Sequence, residues 1–281
     1  MDWSKTKTIF ILVFFILNMF LLYQYVEKKS VDDYEFIEEA SFEERLKEND
    51  ITFTTLPKQT SKEQYISAKS KHFTEDDLKK LKNQDPKRFN EQRLFSKLDK
   101  PFLLGEEIHS EALDTFVKEN VLYGEEYKFW KVNEFEDTVV YYQTYKDKMI
   151  YNNSNAMLEL TLNGNREIIS YQQTYLENIE EFDEENQEEV IKAIDALKTL
   201  FEKGYIQPKS EITEVELGYI NLLQYTASHV LTPTWHVVVN KKEDLYVNAL
   251  DGKIIDIDTE PDVSEGINEP EKQTENDMIL E

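Results

Sequence analysis

The residues that could do chemistry in this chain are its four histidines and its surplus of carboxylates. His72, His109, His229 and His236 show no HxH, HxxxH or HExxH spacing, so the sequence signals no metal cluster. His236 lies in PTWHVVVN, where strand alternation sets it on the face opposite Trp235. Asp256, Asp258 and Glu260 alternate as calcium ligands could. The glycine and distal Glu of a calcium loop do not accompany them, so they read as a solvated strand end. Carboxylate pairs that could serve as acid and base occur throughout so acidic a chain, and no single pair stands out. There is no GxSxG, P-loop or GxGxxG motif. The absence of cysteine removes zinc-thiolate sites, thiol nucleophiles and disulfides. The sequence therefore predicts no catalytic residue, no metal ligand and no cofactor.

What remains is a capacity for contact, and it is concentrated at the start. Residues 9–26 are apolar or aromatic apart from Asn18 and Gln24. As a helix they would span about 27 Å, close to the roughly 30 Å hydrocarbon core of a bilayer. The residues that follow are too large for a signal-peptidase site, so the expectation is an uncleaved anchor. The leading tail is basic through Lys5 and Lys7, which predicts a cytoplasmic N-terminus and an extracytoplasmic remainder. Ile11, Phe14, Phe15, Asn18, Leu22 and Tyr25 share one side at helical spacing. They form the candidate partner-binding face, with the Asn18 amide able to bond a neighbouring helix.

Charge narrows the partners further. The chain carries −25, and its first 29 residues carry +2, which leaves −27 on the rest. Such a surface is repelled by nucleic acid and by anionic headgroups. With 16 Phe, 16 Tyr and 3 Trp the chain has the apolar material for a core without disulfides.

The elements that must position these features read as follows. Residues 1–8 form a cytoplasmic tail, and 9–26 the transmembrane helix. Residues 30–104 form a stalk and a first α/β part. Its ITFTTLP segment reads as a strand that EQYISAKSKHF could join, and Thr74 to Asp77 read as a helix start. Two similar units follow, each a helix and about four antiparallel strands. The first, 105–180, has a helix over Glu106–Val121 and a tight hairpin at Asn163-Gly164. The second, 181–258, has a helix over Glu184–Lys203, a stop at Gly204 and a hairpin at Asp251-Gly252. Each helix must bury its stripe on a sheet face, so the fold class is α+β with two two-layer subdomains. Residues 259–281 hold eight acids, one Lys and two Pro, the composition of a disordered tail.

The opening MDWSKTKTIFILVFFILNMFLLYQ resembles the N-terminus of the YycI (WalI) family of low-GC Gram-positive bacteria. Met1 to Lys7 run directly into the span, with Asn18 inside it. The likeness extends through ITFTTLP and PTWHVVVNKKEDLYVNALDGKIID, and the latter also looks like a PepSY-type hairpin. The resemblance implies a bitopic regulator without enzymatic activity. It would associate with a sister protein, YycH, and contact the membrane part of the sensor histidine kinase WalK (YycG), which controls cell-wall metabolism through WalR. Two rival classes remain. One is an extracytoplasmic module that binds a peptide or wall fragment, with the anchor as a mere tether. The other is an envelope hydrolase, which only location and acidity favour.

Overall fold

The computed structural model describes residues 3–57, 61–105, 111–133, 135–182, 187–224 and 228–257, with the side chains of 4–6, 9, 25–41 and 222–224 left out. It opens on one continuous helix, α1 (Trp3–Glu48), of 46 residues, about 69 Å long at 1.5 Å per residue. The expected stalk is thus a continuation of the leader helix. Short strands follow, β1 (Thr52–Phe53), β2 (Lys62–Glu63) and β3 (Ile66–Ser70), then the single-turn α2 (Glu75–Leu78) and the hairpin of β4 (Gln84–Asn90) and β5 (Arg93–Leu103).

The first expected unit contains α3 (Glu111–Asn120), β6 (Tyr127–Asn133), β7 (Thr138–Tyr145), β8 (Lys148–Tyr151), β9 (Met157–Leu162), β10 (Glu167–Gln173) and β11 (Leu176–Glu181). The second contains β12 (Glu188–Glu189), α4 (Ala193–Glu202), β13 (Glu211–Gln224), β14 (His229–Val239), β15 (Glu243–Asn248) and β16 (Ile254–Ile255). Residues 106–110, which would begin the first helix, and the acidic tail from 258 onward lie outside the described residues.

The two units share one sheet. Its path runs β11-β3-β14-β13-β8-β7-β9-β10-β5-β4, with β1 beside β13, β15 beside β14 and β6 beside β7. The seam is the parallel pairing of β8 with β13, Ile150 opposite Tyr219 and Tyr151 opposite Ile220. Two helices pack on this sheet. α3 buries Leu113, Phe116 and Val117 against Leu94, Val139, Tyr141, Leu158 and Leu160, which alternate inward along their strands. α4 buries Ala196, Leu197 and Leu200 against Trp235, Val237, Val239 and Val247. A smaller core of Ile66, Ile150, Leu176, Tyr219 and Leu231 closes the seam. There the buried Gln143 amide acts as one more strand residue. It donates to Leu176 O and accepts from Leu176 N, both at 2.8 Å.

Several local expectations change. β3 pairs with β11 and β14, whereas β1 lies parallel to β13, so ITFTTLP and EQYISAKSKHF are not partners. α4 begins at Ala193, nine residues later than the acidic run suggested, because 188–191 are held extended. β12 pairs with β2, Val190 N donates to Ser61 O, and Ile191 N donates to Ala249 O. Local helix propensity yields to these tertiary bonds. The Asn163 turn spans four residues, and its left-handed residue is Arg166. Asn163 Oδ1 accepts from Asn165 N and Glu167 N, so the asparagine shapes the turn through its side chain. Elsewhere the reading holds. Thr74 and Asp77 form a reciprocal capping box. Gly204, at φ +80°, ends α4 while Tyr205 N bonds back to Leu200 O. β15 and β16 form the hairpin around Asp251-Gly252.

Candidate functional site

The six residues of the predicted contact face fall within an arc of about 100° on α1. Ile11, Phe14, Phe15 and Leu22 are 67%, 64%, 65% and 58% exposed, so no described part of the chain covers them. Asn18 Nδ2 donates to Phe14 O at 3.0 Å, which satisfies one amide hydrogen within the helix. Oδ1 and the second N–H remain for another group. The Tyr25 side chain lies outside the described set. Among the described residues no helix is long and apolar enough to cross a membrane.

The other end of α1 is built into the folded body. Phe42 and Leu46 are 2% and 0% exposed within the α4 core. Phe42 meets Phe201 edge-on at 5.9 Å. The Arg45 guanidinium lies 5.4 Å from the Phe201 ring and 3.4 Å from Glu202. One helix therefore connects the apolar leader to the core of the second unit.

A second site, which the sequence reading missed, lies on the sheet face away from α3 and α4. Where Val139 and Tyr141 point to α3, Val140 and Tyr142 point the other way. Likewise His236 turns away from the α4 side that Trp235 occupies, as alternation required. Tyr142, Tyr151, His236 and Tyr246 there form an aromatic cluster. Trp130 of β6 lies over it at centroid distances of 5.6 Å to Tyr142, 5.7 Å to Tyr151 and 5.1 Å to His236. The His236 ring stacks on Tyr246 at 5.1 Å, and its Nε2–H donates to Asp244 Oδ1 at 2.8 Å. At 1% exposure the imidazole is enclosed by rings and serves as a structural donor. Burial raises the phenol pKa of Tyr151 and Tyr246 and brings that of Tyr142 up to about 12, so all three stay neutral donors. The apolar run TVVYY was the available signal, since a strand apolar at every position has something to bury on both faces.

The remaining histidines fall outside this cluster. His229 sits between Ser70 Oγ at 2.8 Å and Asn221 Nδ2 at 3.2 Å, and burial lowers its pKa. His72 is exposed at Glu91, and His109 lies outside the described residues, as do Asp258 and Glu260. Among the described residues no three His, Asp or Glu side chains converge as a metal site.

Comparison with known proteins completes the picture. The family model described as YycI protein matches residues 32–250. No curated protein matches the chain. Among solved structures, an uncharacterized protein from Eubacterium rectale aligns at 10% identity and TM-score 0.43, over 74% of this chain and 89% of its own. The YpeB C-terminal domain of Bacillus megaterium aligns at 10% identity and TM-score 0.39, over 66% and 96%.

Proposed function

The chain belongs to the YycI family, and on that basis we propose that it is a non-enzymatic, membrane-anchored regulator of a WalK (YycG)-type sensor histidine kinase. In this reading residues 9–26 span the membrane with the N-terminus in the cytoplasm, and the folded body lies outside beside a YycH-type partner. The observation that carries it is the continuity of α1, exposed and apolar at one end and buried in a core at the other. An uninterrupted helix transmits rotation or displacement of the body to the span. A span that favours one of two kinase helix arrangements shifts their populations, and a differential of about 1.4 kcal/mol shifts them tenfold. Packing of Phe14, Phe15 and Leu22 with one amide bond from Asn18 is of that size, since interhelical amide bonds contribute about 0.6 to 2 kcal/mol.

The test is a kinase-output reporter in cells carrying the intact chain, residues 1–29 alone, or the body on an unrelated anchor. The helix-contact reading expects control to survive in the first and to be lost in the third. Full control by the foreign-anchored body would instead establish the anchor as a tether and the body as the active part. Asn18→Leu refines the result. It should weaken co-purification with the kinase while membrane insertion is unchanged.

A further inference from the structure

The cluster under Trp130 opens to solvent through two adjoining cavities of about 550 and 670 Å³. This is the size range of small-ligand sites. Trp130, Lys131, Lys242 and Asp244 line both, so they work as one cleft divided by the indole. The cleft lies where the sheet splits beyond the seam. On one side is β6, on the other β13 and the β14–β15 hairpin, and the Lys128–Glu216 ion pair at 3.1 Å bridges the gap.

Two observations define what could occupy it. First, a partly exposed indole held by contacts with three rings is a rigid flat platform. Its negative π face attracts the weakly positive C–H bonds of a ring stacked on it. Second, the surrounding charges nearly cancel. In the larger cavity Lys128, Lys131, Lys241 and Lys242 face Glu214, Glu216 and Asp244. In a chain whose residues from 30 onward carry −27, this balance offers no net charge to select an ion, but it supplies donors and acceptors side by side.

We propose that the Trp130 cleft is a binding site for an uncharged oligosaccharide, one pyranose ring stacked on the indole and its hydroxyls shared between the lysines and carboxylates of the rim. Sugar hydroxyls both donate and accept, as a mixed-sign rim requires, and a sugar's apolar faces match the platform. This goes beyond the regulatory reading and does not depend on it. A body that senses glycan and a leader that contacts a kinase would be joined by α1.

The test uses the full-length chain in detergent micelles, with chitohexaose, cellohexaose and maltohexaose as probes and neutral hexapeptides as controls. Calorimetry and saturation-transfer NMR read the binding. At least one hexasaccharide should bind in the millimolar range or better, with contacts to tryptophan protons. Trp130→Ala should weaken it about tenfold or more, and Phe89→Ala, at an exposed aromatic on β4, should leave it unchanged. Should Trp130→Ala fail to fold, Lys131→Gln with Lys242→Gln changes only exposed side chains and should weaken binding several-fold. The proposal is overturned if no hexasaccharide binds, if affinity survives the Trp130 and lysine variants, or if only peptides bind. A cleft without sugar affinity would leave the anchor-swap result untouched, so the two readings fail separately.

Discussion

The two helix-plus-sheet units are built alike and connected differently. In the first, α3 closes a core drawn from the hairpin of β4 and β5 and from β7, β9 and β10, with α2 over one end. In the second, α4 shares its core with the last turns of α1, through Phe42 and Leu46. One unit is sealed within the folded body, whereas the other includes part of the leader helix. Any mechanical signal along α1 therefore enters at the second unit. It reaches the first across the β8–β13 seam, through β3 between β14 and β11, and through the Trp130 contact with His236. The cleft lies on that route, which gives its occupant a physical means of influencing the leader.

The sharpest way to break this comparison is to empty each core in turn. Leu46 and Leu113 are 0% and 1% exposed, so Leu46→Ala and Leu113→Ala should each cost about 2–5 kcal/mol. Denaturant unfolding measures the cost, and hydrogen exchange locates it. Leu46→Ala should release the amides of α4, β13 and β14 while α3 stays protected, and Leu113→Ala should do the reverse. Equal loss of protection in both units from either change would show a single cooperative core and remove the distinction. Only Leu46→Ala should also change kinase-reporter output at matched protein abundance.

A smaller effect separates the units by pH. Asp77, 5% exposed, caps α2 over the first core. Burial alone would raise its pKa. The hydrogen bonds from Lys80 and Thr74, with the charge of Lys71, outweigh burial and hold it at about 2. A carboxyl depressed from an unfolded value near 3.9 stabilises the fold above that pH, and the contribution is lost as pH falls toward 2. Asp77→Asn should therefore cost about 1–2 kcal/mol at neutral pH and progressively less below pH 4. The difference between wild-type and variant urea midpoints, followed from pH 7 to 2, tests this. A difference that does not shrink with acid would mean that the aspartate acts through shape rather than charge.

The sequence carried the elements better than their connections. The inward stripes of α3 and α4, the capping box at Thr74 and the Trp235/His236 alternation were legible because each rests on local spacing. The hairpin of β4 and β5 was not. Its inward residues Leu94, Ser96 and Leu98 are separated by exposed and charged neighbours, and Pro86 lies on the edge strand, where a missing donor is tolerated. The start of α4 was misplaced because Ser61 and Ala249, far off in sequence, decide it. The parallel pairings of β1 and β8 with β13 leave no period in the chain at all. The leader face could be stated from spacing alone. The cleft could not, since Trp130, Tyr151 and His236 meet only once the seam is formed.

The finest probe of the contrast is Arg45, whose two contacts fasten the end of α1 to α4. Both members of the Arg45–Glu202 pair are 45% exposed, so the ion pair contributes well under about 1 kcal/mol. The guanidinium over Phe201 adds about 0.5–1 kcal/mol at such an exposed position. Arg45→Ala should therefore lower global stability by about 1 kcal/mol or less. Because it acts where the leader joins a core, it should quicken exchange of the last α1 amides more than its global cost predicts. Arg45→Lys keeps the charge and loses the planar fork, so it should recover the ion pair but only part of the ring contact. If exchange in 42–48 is unchanged in both variants, Phe42 and Leu46 alone fix the junction, and the route from leader to second unit runs through apolar packing.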